Sequence, residues 1–307
     1  MSIPFIKELQ FAYGTVSGLS PLVRRIIAPN PSAFTFHGTG TYILGHGSDV
    51  AVIDPGPDDP AHLDALLRNL DGETVSHILI THTHRDHSPG AALLQARTGA
   101  PTYAFGPHPQ PKDGGSSVEE GGDHDFRPDR LLKDGDVVQG NGWTVAALHT
   151  PGHISNHLCF ALQEEKALFS GDHVMGWSTS VISPPDGSMT DYYASLNKLL
   201  ARDDVRYYPT HGAPIDALST GHSPQHFVRE LIRHREGREA QIVACLSQSG
   251  PQTIPQMVAV MYAAIPKFMH PAAARSVLAH LIHMVGDGRV QVDGGGAPDE
   301  TAVYRLG

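Results

Sequence analysis

The sequence predicts an α/β protein followed by a small helical module, and three observations carry that prediction. Apolar strand-like runs alternate with amphipathic helical ones through the first two-thirds of the chain. Histidine and aspartate, residue types that hold divalent cations, recur directly after those strand-like runs. A polar, Gly/Pro-bearing stretch, Ser219-Thr220-Gly221-His222-Ser223-Pro224, then opens a segment of different character. The chain accordingly divides into a catalytic-type domain at residues 1–220 and a helical domain at residues 221–307.

In chain order, Thr35 to Leu44 and Val50 to Asp54 read as strands, the second ending in the turn Ile53-Asp54-Pro55-Gly56. Pro60 to Leu70 is helical. Val75 to Thr81 is a strand that delivers the run His82-Thr83-His84-Arg85-Asp86-His87, three imidazoles and a carboxylate within six residues. Residues two apart in an extended segment point the same way, so His82 and His84 can bind one ion. Asp86 and His87 come at the following turn and can face a second. Pro89 to Thr98 is the next helix, and Lys112 to Asp129, rich in Gly, Asp and Glu, predicts a mobile surface insertion. Strand Trp143 to Thr150 leads into Thr150-Pro151-Gly152-His153, and His157 to Leu162 is a further strand. Ala167-Leu168-Phe169 leads into Ser170-Gly171-Asp172-His173. After a helix from Asp191 to Ala201, Val205 to Tyr208 leads into Tyr208-Pro209-Thr210-His211-Gly212. Every ligand-type residue thus lies at the C-terminal end of a strand, the edge at which α/β sheets place ligand sites.

These blocks resemble those of the metallo-β-lactamase fold hydrolases, in the dinuclear subset with the full His-x-His-x-Asp-His motif. The resemblance covers roughly residues 1–220, including the Ile53-Asp54-Pro55-Gly56 turn. It implies a metallo-β-lactamase αββα sandwich of two mixed sheets with helices outside. It also implies that His82, His84 and His153 hold one metal, that Asp86, His87 and His211 hold the other, and that Asp172 bridges them. Two divalent ions follow, with Zn²⁺ as the default, although imidazole and carboxylate together also suit Fe and Mn. Such a pair acidifies a shared water, and the hydroxide attacks carbon or phosphorus. Asp86 and Asp172 are then the catalytic carboxylates, Asp86 as ligand first and proton acceptor second. No Gly-x-Ser-x-Gly nucleophile elbow occurs in the chain. His157, Trp177, Tyr192 and Tyr193 are the candidates to meet substrate, His173 reads as structural, and Thr81 and Ser170 as hydroxyl donors to the ligands. Two positions bear on the resemblance. Thr210 stands where the family commonly has Gly, which predicts a crowded last turn. His84 stands where oxygen-reducing flavo-di-iron relatives carry Glu, which argues against redox chemistry.

The C-terminal segment reads as helix (Gln225 to about Ser247), a short helix with Thr253 as N-cap, a third helix (Pro271 to Val285), a turn at Gly286-Asp287-Gly288 and the strand Val290-Gln291-Val292. That is the winged-helix plan. The layout resembles the β-lactamase-like endoribonuclease branch of the family, with His234-Arg235-Glu236-Gly237-Arg238-Glu239 carrying part of the likeness. This module can guide nucleic acid, wall the pocket or form a homodimer interface.

Composition narrows the choices. At 307 residues with 40% hydrophobic and 18% charged, the chain is an ordinary globular protein. No apolar run is long enough for a membrane span, the start lacks a signal-peptide core, and the two cysteines, Cys159 and Cys245, read as buried thiols, so a cytoplasmic protein is expected. Lys and Arg total 22 against 32 Asp and Glu, a net charge of −10, which disfavours a polyanionic partner. The sequence therefore predicts a metal-dependent hydrolase of a small ester, thioester or lactone. A single-strand endoribonuclease is the alternative. A non-catalytic binding protein is the third reading, opposed by seven filled ligand positions.

Overall fold

The computed structural model describes residues 3–109 and 121–307. The first sheet takes β1 (Ser17–Gly18), β2 (Val23–Ile27), β3 (Gly40–Leu44) and β4 (Val50–Ile53), then β5 (Val75–Leu79), β6 (Thr102–Ala104) and β7 (Arg130–Leu131). They pair in chain order, antiparallel up to β4 and parallel from β4 to β7. Helices α1 (Pro60–Asn69) and α2 (Gly90–Thr98) supply the first two parallel crossovers, β4 to β5 and β5 to β6. The Asp59 carboxylate caps α1 by accepting from the backbone N–H groups of Ala61 and His62.

The second sheet comprises β8 (Val137–Gly140), β9 (Trp143–His149), β10 (Leu158–Leu162), β11 (Ala167–Gly171), β12 (Arg206–Pro209) and β13 (Ile215–Asp216). Only β11 and β12 pair in parallel, and α3 (Met189–Leu200) makes that crossover. The sheets face each other across Tyr42, Ile53, Leu79, Trp143, Val145, Phe160, Phe169 and Tyr208, all essentially inaccessible. The opposite face of the first sheet buries Ile43, Val52 and Ile78 against Leu63, Leu66 and Leu94 of its helices. This is the αββα sandwich, and β10 and β11 are buried at every position because both faces are covered.

After the short α4 (Ala217–Thr220) comes α5 (Pro224–Ser249), then β14 (Gln252–Thr253), α6 (Ile254–Met261), a 3₁₀ turn at Lys267–Met269, α7 (His270–Gly286), β15 (Val290–Val292) and β16 (Val303–Leu306). Thr253 and Gln256 form a capping box at the start of α6, and the strands pair in the order β14-β16-β15 as the wing. α5 belongs to both halves. Phe227, Val228 and Leu231 pack with Leu168, Tyr192 and Tyr207 of the sandwich, whereas Ile242, Cys245 and Leu246 pack with Met257, Val277 and Leu281. The change of domain expected between residues 220 and 221 is therefore spread along the first half of this helix.

Two expectations need correction. The strand expected from Thr35 begins only at Gly40. The Ser32 hydroxyl accepts from the backbone N–H of Phe34 and Thr35, and Phe36 sits at φ 59°, so this segment turns rather than extends. Part of the insertion expected at Lys112 to Asp129 lies outside the described residues. Its end, from Gly121, is fastened to the His-rich loop: Arg85 N–H donates to the Gly121 carbonyl, Asp123 N–H to the Thr83 carbonyl, and the Ser88 hydroxyl to the Asp123 carboxylate.

Candidate metal centre

Four loops at the C-terminal ends of β5, β9, β11 and β12 meet at one edge of the sandwich. They bring together His82, His84, Asp86, His87, His153, Asp172 and His211, all buried. Among the described residues, three overlapping triads place one ligand atom each within 4.8 Å of one another: His82-His84-His153, His82-His87-Asp172 and Asp86-His87-His211.

In the first triad, His84 Nδ1 faces His82 Nε2 at 3.0 Å and His153 Nε2 at 3.1 Å. One ring proton cannot serve both contacts, whereas one cation between three lone pairs can. The outer nitrogens are committed elsewhere. His153 Nδ1 lies 2.7 Å from the Val181 carbonyl and must donate to it. His82 Nδ1 lies 3.1 Å from the Thr81 hydroxyl, which itself donates to Asp54 at 2.7 Å. Both rings are thereby held in the tautomer that points a lone pair inward.

In the Asp86-His87-His211 triad, the second site beside His82-His84-His153, His211 Nε2 lies 3.0 Å from Asp86 Oδ2, and His87 Nε2 lies 3.2 Å from the same oxygen. Asp172 turns Oδ2 toward His87 at 3.6 Å and His153 at 3.9 Å, and Oδ1 toward His211 at 3.4 Å. His87 Nε2, His211 Nε2 and Asp172 Oδ1 are nevertheless buried without a hydrogen-bond partner. Orphaned polar atoms in a buried site are costly, and a divalent cation would satisfy all of them. The donor set fits the metal binding that the family resemblance implies.

Asp54, the aspartate of the Ile53-Asp54-Pro55-Gly56 turn, braces both triads. Its carboxylate accepts from Thr81 N–H at 2.8 Å, the Thr81 hydroxyl at 2.7 Å, His87 Nδ1 at 3.0 Å and the Thr210 hydroxyl at 3.1 Å. The parallel pairing of β4 with β5 sets Asp54 beside Thr81, and its φ of 49° turns the carboxylate under the loop. Thr210 therefore does not crowd its turn. Its hydroxyl is a fourth donor to Asp54.

The two triads differ in charge. Burial, with His87 and His84 alongside, holds His82 well below the ordinary imidazole pKa, and burial and His153 do the same to His84. Burial acts likewise on His211 and His87 but is outweighed there. Asp172 and Asp86 raise His211 to about 10, and Asp86, Asp172 and Asp54 raise His87 well above its usual value. Burial is also overcome at Asp86 and Asp172, which these two cationic rings hold well below the carboxylate range.

A cleft opens over both triads, lined by His84, Asp86, His153 and Asp172 on its floor and by Ala33, Phe34, Met175, Trp177 and Val181 on its walls. Trp177 stacks on Phe36 with ring centroids 4.8 Å apart. Of the four residues expected to meet substrate, Trp177 lines this cleft and the others do not. His157 is fully buried beneath the metal loop, where Nε2 accepts from Asp172 N–H and Nδ1 meets the Thr150 hydroxyl. Tyr192 is equally buried and donates to the His173 carbonyl. Tyr193 points toward the C-terminal domain and donates to Glu239. His173 packs on Tyr192, and the Ser170 hydroxyl donates to the Val174 carbonyl rather than to a ligand. Phe36 falls inside the strand expected from Thr35 and Phe34 just before it, so neither stands out in the sequence.

Comparison with known proteins agrees with this geometry. The Metallo-beta-lactamase superfamily model matches residues 35–211, and that of the Beta-lactamase associated winged helix domain matches residues 253–297. The chain is 34% identical over 256 residues to an atrochrysone carboxyl ACP thioesterase of Cryptosporiopsis sp., across 80% of this chain and 74% of that protein. It is 32% identical over 284 residues to a beta-lactamase-like protein 2 homolog of Caenorhabditis elegans, across 90% and 88%. A beta-lactamase domain protein from Burkholderia ambifaria has the same fold, with a TM-score of 0.80 at 21% identity across 98% of this chain and 96% of that one. A metallo-beta-lactamase family protein from Thermus thermophilus gives 0.73 at 23% identity, across 94% and 100%. The chain belongs to the metallo-β-lactamase superfamily of hydrolases, and a β-lactamase-associated winged helix domain follows its catalytic domain.

Proposed function

We propose that this enzyme is a dinuclear, zinc-dependent hydrolase of small acyl substrates, thioesters foremost. The observation that carries the reading is the convergence of two ligand triads on Asp172 beneath an apolar-walled cleft. When bound, the two cations would acidify a shared water and polarise the attacked carbonyl. His82, His84 and His153 would hold one, Asp86, His87 and His211 the other. Oδ2 of Asp172 faces His153 of one triad and His87 of the other, and Oδ1 faces His211, which suits a shared ligand. Asp86 also lines the cleft, so its carboxylate is within reach of a proton leaving the reacting centre. Phe34, Met175 and Trp177 would exclude bulk water and hold an acyl group, as apolar walls with few polar groups do. The preference for thioesters is supported by the relative named a thioesterase.

A single-stranded RNA substrate would need solvent-facing cations for its phosphates. From Thr220 onward the chain has eight basic residues. Arg233 pairs with Glu230, Arg275 with Glu300, Arg289 with Asp287 and Glu239, and Arg305 with Asp293. Arg235 is buried, and Arg238 lies over the Tyr262 ring. Little of the basic run of α5 is left to guide a polyanion.

The test is thiol release from acyl N-acetylcysteamine thioesters by the zinc-loaded protein, beside cleavage of labelled single-stranded RNA, with Asp172→Ala as control. Thiol release by the parent alone is the expected result. RNA cleavage without thioester hydrolysis would overturn the reading.

A further inference from the structure

We propose that the winged-helix domain is a working part of the metal centre, acting on it through Arg235 as a positioning residue. The inference rests on the metal-centre reading above and adds to it a role for the second domain. Arg235 lies on α5, between the stretch that packs on the sandwich and the stretch that packs on the winged-helix core. It is 3% exposed, and its guanidinium makes two contacts across the boundary. One nitrogen donates to the Ser180 carbonyl, and the planar group lies 5.4 Å from the centre of the Tyr192 ring. Its Nε has no partner among the described residues. A cation is expensive to bury on so few contacts, so what those contacts hold matters.

Ser180 and Tyr192 both hold backbone carbonyls of the Asp172 loop. The Ser180 hydroxyl lies 2.5 Å from the Asp172 carbonyl oxygen and 2.9 Å from that of His173, which share its one proton. The Tyr192 hydroxyl donates to the same His173 carbonyl at 3.0 Å. Val181, next in the chain after Ser180, offers the carbonyl that fixes the tautomer of His153 at 2.7 Å. One guanidinium on the helix that the two domains share therefore holds two groups that position the shared ligand and, through the adjoining peptide, the support of a ligand in the first triad. A docking pin alone would require none of this convergence.

The test compares the parent with Arg235→Met, Arg235→Lys and Ser180→Ala. Zinc affinity is read by competition with a chromophoric chelator, ligand geometry by the visible spectrum of the Co²⁺-loaded protein, and folding by circular dichroism of the metal-free protein. Arg235→Met should weaken zinc binding by about 10- to 100-fold, the usual effect of losing a partner of the ligands, and should shift the cobalt bands. Arg235→Lys, which keeps a donor toward Ser180, should recover part of both. Ser180→Ala, which leaves the domain contact in place, should move the cobalt spectrum in the same direction. A folded Arg235→Met with parental zinc affinity and parental cobalt bands overturns the proposal. Should that variant fail to fold, parental values in both Arg235→Lys and Ser180→Ala overturn it equally. If the parent itself takes up neither metal, the metal-centre reading fails and this one with it; if the parent binds and the variants match it, only the role of Arg235 falls.

Discussion

Replacing Asp54 by Asn removes a charge from beneath both triads while leaving the local backbone at ease. Asp54 sits at φ 49°, and Asn is among the few residues that tolerate this region. The Thr81 N–H cannot turn, so the oxygen of the new amide must stay on it, and the NH₂ must take the place of Oδ2. That position now receives the His87 ring nitrogen and the hydroxyls of Thr81 and Thr210. The hydroxyls can rotate to accept, but His87 Nδ1–H cannot. Once Nε2 has released its proton to take up a metal, the remaining Nδ1–H of His87 must face a donor. Losing one charge-assisted bond of this kind costs about 2 kcal/mol, which is roughly 30-fold in affinity. The first triad feels the change only through the Thr81 hydroxyl, so its loss should be several-fold smaller. A two-step zinc titration against a chelator, with melting of the metal-free protein as a fold control, measures both steps. A folded Asp54→Asn with an unchanged second step, or with both steps weakened equally, would refute the assignment of Asp54 to the second triad.

Asp172→Ala or His84→Ala should lower turnover about 10³-fold or more, as loss of one member of a unit does; a folded variant at full activity would mean that the ligands are misassigned. Zinc uptake should be pH-dependent in one triad only. His211, raised to about 10, and His87 are protonated at neutral pH and must release their protons on binding, so the second affinity rises with pH by up to about tenfold per unit for each proton. His82 and His84 are already neutral there, so the first affinity should stay nearly flat. Stoichiometry measured at about pH 6 and about pH 8.5 should pass from one ion toward two, and a parallel loss at both sites would count against this. Trp177→Ala should raise KM for apolar thioesters about tenfold with little change in kcat, a split that steady-state kinetics resolves. Gly152→Ala places a Cβ 2.5 Å from the Tyr192 Cα at φ 146°, which should cost about 2 kcal/mol or more and depress Tm by several degrees; a parental Tm would show that α3 can shift.

How much of this was legible in the sequence depended on how local each signal is. Three imidazoles and a carboxylate in six residues after an apolar run announce a metal loop by spacing alone. Asp54 does not, because its role exists only once β4 pairs with β5 and sets its carboxylate beside Thr81, 27 residues away. Strand β2 was invisible for a different reason. Its sequence, Val-Arg-Arg-Ile-Ile, breaks the apolar pattern, yet Arg25 is 4% exposed and its guanidinium donates to the Gly212 carbonyl beside His211. A buried arginine that serves a backbone carbonyl cannot be told from a surface one by periodicity. The same ambiguity misplaced Tyr192 and Tyr193, whose hydroxyls do reach partners, but in the interior and at the domain boundary.

The basic run on α5 shows what such ambiguity means for function. As sequence, Arg229, Arg233, Arg235 and Arg238 look like the beginning of a phosphate-binding face. As structure, the run is divided by the helix's own position. Arg233 takes the carboxylate of Glu230 one turn back, Arg238 lies over Tyr262, and Arg235 turns inward at the level of the metal loops. Glu239, four residues on, gathers His280 of α7 and Arg289 of the wing at 3.2 and 2.6 Å, and it also accepts from Tyr193 of α3. A single helix thus carries a cation into the catalytic domain and a carboxylate into the joint between α3, α7 and the wing. Charges spent in this way fix the orientation of one domain on the other, and that orientation decides where Ser180 and Tyr192 stand beneath Asp172. The second domain is then better understood as a support for the centre than as a reader of nucleic acid.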